Sequence, residues 1–412
     1  MDLELVTIGT ELLLGFTVDT NGAEIGRALA AAGIRVVRRT SVGDDGATVA
    51  AAVREALART GAVLCTGGLG PTRDDVTKRS VAGLFGRALR FDDAIWAELE
   101  ARFARLGRRP AAANRCQAEV PEGAVVLPNR WGTAPGIWLE GAPGLAILLP
   151  GVPREMRGLL EHEVLPRLAG RGDPSAAIRS RQLRTTGIAE SSLAERVAGA
   201  EEALAPLTLA YLPGVEGVDL RLTAWRLPAE EAERRLAEGI AWLRARAARH
   251  AYAEGDQDLA AVLLGRLRAQ GWTLGVAESC TGGMLGARIT GVAGSSDVFM
   301  GGTIAYANRV KEAALGVPAE TLASHGAVSE PVARAMAEGA RARHGVDCAL
   351  AITGIAGPGG GTAEKPVGTI WLAAATPQGT SAERIAVPGD RDEIRRRGAQ
   401  AALYLLWREL DG

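Results

Sequence analysis

The segment Gly275-Val276-Ala277-Glu278-Ser279-Cys280-Thr281-Gly282-Gly283 runs from an apolar strand pattern into a polar, glycine-rich turn and then a helix. Such a turn gathers backbone N–H groups and a helix N-terminus at one point, which suits an oxyanion or a phosphate. Ser279 falls at the strand's end, but a serine hydroxyl is a weak nucleophile until a neighbouring base takes its proton. No histidine occurs near this segment. The next one, Thr303 to Lys311, reads as a second strand whose end delivers Tyr306, with Lys311 in the first turn of the following helix. A cation there opposes the helix dipole, so surface electrostatics do not account for it. Of 47 basic residues only Lys78, Lys311 and Lys365 are lysines. A chain that otherwise writes its cations as arginine keeps a lysine where an amine able to lose its proton has a use. Desolvated until its pKa falls from about 10.4 toward roughly 7 or 8, Lys311 could deprotonate Ser279, with Tyr306 relaying or steadying the proton.

The bland alternatives are definite. Ser279 or Thr281 could merely cap the helix, Tyr306 could be an amphipathic strand-end residue, and Cys280 is the competing nucleophile, expected to pack beneath the turn. Thr353-Gly354-Ile355-Ala356-Gly357-Pro358-Gly359-Gly360-Gly361 is a strand entering a glycine-rich loop able to approach a phosphate or ribose, or simply a loop. Pro388-Gly389-Asp390-Arg391 opens the last helix, where Arg391 could fork onto a phosphate. His325 lies in a loop between helices and reads as structural.

A second constellation lies near the N-terminus. Thr66-Gly67-Gly68-Leu69-Gly70-Pro71-Thr72-Arg73-Asp74-Asp75-Val76-Thr77-Lys78 is glycine-rich, then acidic, then helical, and Ser41-Val42-Gly43-Asp44-Asp45 ends a strand. Glycines can wrap a phosphate while carboxylates hold a hard divalent ion. Against this, Asp75 could be a helix N-cap and Asp45 a solvated turn residue.

The elements that must position these residues follow from apolar periodicity. Strands at Leu3 to Ile8, Arg35 to Thr40 and Ala62 to Cys65 alternate with helices at Asn21 to Ala32 and Ala47 to Arg59, a β-α-β-α-β rhythm that predicts a parallel sheet. Further strands at residues 124 to 127, 136 to 139 and 145 to 149 and a helix to Leu168 close a first α/β domain, 1–168, and Gly170-Arg171-Gly172-Asp173-Pro174 punctuates the chain. Residues 169–253 read as a small α+β module with strand, helix, hairpin from Leu207 to Arg226, and a long helix. Its Gly214-Val215-Glu216-Gly217 matches the GXXG loop of KH domains, but it sits in a hairpin turn with an acid that repels phosphate, so a spacer or dimerisation role is expected rather than RNA binding. Residues 254–412 alternate again as a second α/β domain. At 412 residues more than one core is required.

Composition narrows the function. With 47% hydrophobic and 23% charged residues the chain is expected to fold compactly, and a net charge of −1 lacks the basic field of a nucleic-acid binder. Cys65, Cys116, Cys280 and Cys348 form no C-x-x-C pair, and no apolar run approaches a membrane span. The acidic start, Met1-Asp2-Leu3-Glu4, is unlike a signal peptide, so a cytoplasmic protein is expected.

Taken in order, Ala277 to Gly283, Gly294-Ser295-Ser296, Tyr306-Ala307-Asn308 with Lys311, His325-Gly326-Ala327-Val328-Ser329, Thr353 to Pro358, Lys365-Pro366-Val367-Gly368 and Pro388 to Arg391 resemble the bacterial nicotinamide-mononucleotide deamidases, and the whole chain resembles the CinA family. The resemblance implies that Ser279 attacks the carboxamide carbon of nicotinamide mononucleotide, Lys311 accepts its proton with Tyr306 assisting, ammonia leaves, and water releases nicotinate mononucleotide without a cofactor. It places Glu278, Thr281, Gly282, Gly283, Thr353, Gly354, Ala356, Gly357 and Arg391 at the substrate. The N-terminal loops resemble the molybdopterin-binding domain, with Gly9-Thr10-Glu11 and Asp19-Thr20-Asn21 extending the match, and the middle module a KH-type domain. In CinA proteins the first domain is associated with metal-dependent hydrolysis of ADP-ribose to AMP and ribose 5-phosphate. That implies Glu11, Asp44 and Asp75 on a divalent ion (Mg, Mn or Co) and Asn21, Gly67, Gly68, Gly70, Thr72 and Lys78 on the nucleotide. No Nudix box is present. The alternative is an N-terminal domain that only binds a pterin or nucleotide. A homodimer without nucleic-acid or membrane partners is expected.

Overall fold

A computed structural model describes residues 1–172, 177–225 and 227–410. Asp173 and Pro174 of the expected punctuation, and Arg226 at the end of the expected hairpin, lie outside the described residues. By contacts the chain divides into two units, Met1–Arg179 with Ala224–Arg234, and Ser180–Thr223 with Arg235–Gly412.

In the first unit, alternation along Asp2–Ile8 sends Leu3 and Leu5 to one face and Glu4, Val6 and Ile8 to the other. Both faces are covered. Leu3, Leu5, Leu64 and Ile147 pack with Ile25 and Leu29 of helix Thr20–Ala31 and Met156 of helix Pro153–Leu159, while Val6, Val63 and Leu148 pack with Val49 and Val53 of helix Gly46–Thr60. Burial on both sides is why the strands read as nearly continuous apolar runs. The one charge in the first strand's core positions, Glu4, is answered from the covering helix by Arg59, whose Nε and Nη2 donate to its two oxygens at 2.6 and 2.9 Å. The sheet runs Arg35–Val42, Asp2–Ile8, Ala62–Thr66, Gly144–Leu149, Gly136–Gly141, Val125–Leu127, the first four parallel and the rest antiparallel. Residues 85–123 carry no motif. They add helix Asp93–Arg105 and the strand pair Leu89–Phe91 and Glu119–Pro121.

The second unit holds two sheets. Within this unit residues 208–213, 218–223, 180–185 and 251–254 form the smaller. The larger runs Phe299–Ile304, Leu274–Glu278, Cys348–Gly354, Thr369–Thr376, Gly379–Ala386; its first three strands are parallel and the others antiparallel. Helices Leu259–Gln270 and Arg391–Glu409 cover one face and helix Glu330–His344 the other. Tyr252 and Ala253 of the smaller sheet join the same core as Leu259 and Leu274, so hydrophobic burial ties the two sheets into one body.

Candidate functional site

Numbered by appearance, the strands of the larger C-terminal sheet lie in the order 2-1-3-4-5. The loops after the first and third strands therefore leave in opposite directions, and a crevice opens between their carboxyl ends. Ser279 stands on one lip and the loop from Gly354 on the other. The ladder runs on past Glu278: Ser279 N donates to Ile352 O at 2.9 Å and Ala305 N to Glu278 O at 2.7 Å. Backbone pairing thus fixes the serine from both sides.

Lys311, in helix Asn308–Leu315, is 1% exposed. Its Nζ lies 3.1 Å from Ser279 Oγ and donates to Ala305 O at 2.8 Å and Tyr306 O at 3.1 Å. Burial disfavours the charged form and holds the amine below the usual lysine range. Cys280 is buried and its thiol is pushed up to about 11 by desolvation, which removes it as a thiolate nucleophile near neutrality.

The helix after the turn is Met284–Thr290, entered through Gly282 and Gly283 at φ +59° and +97°, conformations that favour glycine. It is capped by neither Ser279 nor Thr281. Glu278 does this: one oxygen accepts from Gly283 N and Leu285 N, both at 3.0 Å, and the other from Gly286 N at 2.8 Å. This corrects two expectations. Glu278 is a buried cap rather than a substrate ligand, and that helix N-terminus is occupied by a carboxylate of the chain itself. Ser279 is left free to face Lys311.

Tyr306 is 62% exposed, and its hydroxyl accepts from Arg391 Nη2 at 3.3 Å. The expectation that its phenol assists the serine–lysine pair is corrected accordingly: the backbone carbonyl of Tyr306 holds Lys311 while the ring lies outward. Arg391 also donates to Gly357 O at 2.6 Å, so Tyr306, Gly357 and Arg391 meet at one rim. Thr353 is buried and its hydroxyl donates to Ala327 O at 2.8 Å; Ala356 is buried in the core, leaving only backbone for a ligand. Sequence reasoning missed Arg395, whose Nη2 donates to Thr281 O at 2.8 Å. Its signal was the i, i+4 spacing from Arg391 on the same helix.

In the first unit, a cleft of about 340 Å³ is lined by Gly9, Glu11, Asp44, the glycine loop and Asp75. Gly67, at φ +110°, passes so near Ile8 O that a Cβ would stand 2.1 Å from it, so the glycine is needed by the fold as much as by any ligand. Asp75 is not a helix N-cap. Its carboxylate accepts from Gly70 N and Thr72 N, each at 2.7 Å, and from the Thr72 hydroxyl, folding the loop onto itself. Asp44 accepts from Thr10 N at 2.8 Å, and Asp45 caps helix Gly46–Thr60 through Thr48 N at 2.8 Å. Among the described residues no three acidic, cysteine or histidine side chains converge on a common point. Glu11, Asp44 and Asp75 share this cleft without converging on one point, and Asp44 and Asp75 spend their carboxylates on loop N–H groups. Asn21 donates to Thr66 Oγ1 at 3.1 Å and Gly151 O at 2.8 Å, and its Oδ1 is buried without a partner. Lys78 is corrected as well. Its Nζ donates to Cys116 O at 2.6 Å and Glu119 O at 2.7 Å, a buried clamp on residues 116–119 rather than a phosphate ligand, and desolvation lowers its pKa to about 8.

With this geometry in hand, family models match three stretches: "CinA C-terminal domain" over residues 256–410, "Probable molybdopterin binding domain" over 4–170 and "Damage-inducible protein CinA KH domain" over 180–253. A "CinA-like protein" of Gemmatimonas aurantiaca is 56% identical over 99% of this chain and 96% of its own length. The chain belongs to the CinA family. A "CinA-like protein" of Parasynechococcus marenigrum is 48% identical over 99% of this chain and 96% of its own. The crystal structure of "competence/damage inducible protein CihA" from Agrobacterium tumefaciens is 41% identical, covering 37% of this chain and 94% of that one, with a TM-score of 0.36. The three-part α/β, KH-type and α/β organisation expected of a CinA protein is thus present, and no described helix is long and apolar enough to cross a membrane.

Glu278→Ala removes the shared acceptor of three N–H groups, one of them fully buried, and should destabilise the C-terminal unit by about 2–3 kcal/mol in urea unfolding. Glu278→Gln, which keeps an acceptor, should lose less. A substrate ligand would instead raise KM at unchanged stability. For Lys78 the folded pKa lies below the unfolded one, so the unfolded chain binds more protons between about 8 and 10.5, and stability rises with pH across that window. Lys78→Met should lose this increment, measured as the difference in pH slope between the two proteins.

Proposed function

We propose that the C-terminal unit deamidates nicotinamide mononucleotide to nicotinate mononucleotide and ammonia. The observation that carries this reading is the Ser279–Lys311 pair. A neutral lysine amine has two N–H bonds and one lone pair. Ala305 O and Tyr306 O accept the two N–H groups, which leaves the lone pair toward Ser279 Oγ at 3.1 Å, the arrangement of a general base. Lys311 takes the hydroxyl proton as Oγ attacks the carboxamide carbon, then gives it to the departing nitrogen as the C–N bond breaks. Water, deprotonated by the same amine, cleaves the acyl ester. The N–H of Thr281, without an acceptor among the described residues, is placed in the turn that follows the nucleophile, where a developing oxyanion needs donors. Arg391, at the exposed rim with Tyr306 and Gly357, supplies the guanidinium for the phosphate. The reading draws further support from membership of the CinA family, requires no cofactor, and leaves the middle module as a spacer or dimer contact.

For the first unit we propose a pyrophosphate-nucleotide cleft, with ADP-ribose as its ligand. Hydrolysis to AMP and ribose 5-phosphate is one outcome. Binding without turnover is favoured by Asp44 and Asp75, whose carboxylates fasten loops instead of meeting at an ion.

Incubation with nicotinamide mononucleotide should release ammonia. Ser279→Ala and Lys311→Arg should each lower kcat by at least about 100-fold, the arginine variant despite keeping the charge. Because only the neutral amine is a base, log kcat/KM should climb with pH and level off below the 10.5 of an ordinary lysine. An unchanged rate in Ser279→Ala refutes the nucleophile. For the first unit, ADP-ribose should bind without release of AMP when Mg²⁺, Mn²⁺ or Co²⁺ is added; AMP release that disappears in Asp75→Asn would establish hydrolysis instead.

A further inference from the structure

A cleft of about 640 Å³ lies within the second unit where its two sheets meet, and neither Ser279, Lys311 nor Arg391 lines it. The GXXG turn forms one wall and helix Arg391–Glu409 another. The turn is closed on its own unit. Glu216 pairs with Arg184 at 2.9 Å and Arg288 at 3.4 Å, and its carbonyl accepts from the Thr186 hydroxyl at 2.8 Å. A nucleic-acid backbone therefore has no open GXXG loop to enter, and the space that remains is of small-molecule size.

That helix lines the cleft with polar groups at helical spacing, Arg397, Gln400 and Tyr404. Gln400 is 3% exposed. Thr186 gives its proton to Glu216 O, so it can only accept from Gln400, whose Nε2 lies 2.9 Å away. That fixes the amide's orientation and leaves Oε1, buried, with no donor. Arg397 has a buried Nε without an acceptor, and neither Arg397 nor Arg249 is paired among the described residues. The acids around the cleft are mostly engaged: Glu216 as above and Glu383 with Arg408, leaving Glu190 against two free guanidinium groups. Apolar surface from Pro213, Ile385 and Pro388 makes up much of the rest. An unsatisfied acceptor, two unpaired cations and an apolar ledge in one cleft describe a ligand with a donor-bearing body and an anionic end.

We propose that this cleft binds a phosphorylated small molecule of nucleotide size, its phosphate on Arg249 and Arg397 and a donor of its body on Gln400 Oε1. AMP is the probe, titrated calorimetrically into the full chain beside adenosine and inorganic phosphate. AMP should bind saturably and both fragments at least about tenfold more weakly. Arg397→Ala and the exposed Arg249→Ala should each weaken AMP about tenfold, whereas Asp75→Asn and Arg391→Ala, which alter the other two sites, should leave it unchanged. Absence of AMP binding overturns the proposal. So does AMP affinity that survives both Arg249→Ala and Arg397→Ala, or that is lost in Asp75→Asn or Arg391→Ala. Inorganic phosphate binding as tightly as AMP would refute the nucleotide-sized ligand.

Discussion

A buried amine with no counter-ion among the described residues is the constraint around which the C-terminal unit is arranged. Lys311 has carbonyls and a hydroxyl for neighbours, and no carboxylate lies among its hydrogen-bond partners. A salt bridge there would stabilise the charged form; dipolar acceptors hold the amine in place without supplying a full negative charge. The carbonyls belong to Ala305 and Tyr306, just beyond an edge strand of the parallel set, and the hydroxyl to the end of the next strand. The pair's geometry is therefore inherited from strand register. A one-residue slip between Leu274–Glu278 and Phe299–Ile304 would turn alternate side chains over and separate amine from hydroxyl. Ladder bonds to Ile352 and Ala305 on either side of Ser279 oppose that slip.

The same topology appears in both units. The first sheet also begins 2-1-3, so the loops from Gly9 and Gly67 diverge as do those from Ser279 and Gly354. One solution to covering a parallel sheet on both faces yields a crevice each time, and side chains decide what each crevice does. In the C-terminal unit the acid in the turn is drawn back beneath the helix as a cap, leaving Ser279 to face Lys311. In the first unit the acids remain at the surface of the cleft but are engaged in fastening loops, so phosphate-sized space is present without a preformed chemical pair.

Much of this was legible in the chain. Apolar runs located the strands, and glycine turns located the crevices, because both depend on local periodicity and φ. The scarcity of lysine was informative in a broader way than expected. Lys78, Lys311 and Lys365 all direct Nζ at backbone carbonyls, Lys365 at His325 O at 3.0 Å. A compact ammonium can point its donors at convergent carbonyls in a confined space where a planar guanidinium cannot. Scarcity thus marked three special places, one beside Ser279 and two that fasten loops. What periodicity could not show was which acceptor each polar group would find. Glu278 and Tyr306 both belong to the motifs, yet one turns inward to the helix N-terminus and the other outward to Arg391, a difference set by tertiary packing.

Arg391 and Arg395 reach the rim and the turn of the serine site, while Arg397 and Gln400, within about three turns of Arg391 on the same helix, face the second cleft. A capping box from Asp390 and Glu393 fixes where that helix begins. Arg391 and Gln400 thus stand on one continuous helix, with their spacing along its axis fixed by the helix itself. Arg288 makes a similar link, pairing with Glu216 in the GXXG turn from the helix that Glu278 caps. The middle module thereby meets, through a charged pair, the helix that follows the serine turn. Its GXXG sequence, which in isolation suggests a grip on RNA, acts here as an internal fastener because its second variable position is a glutamate with two arginine partners.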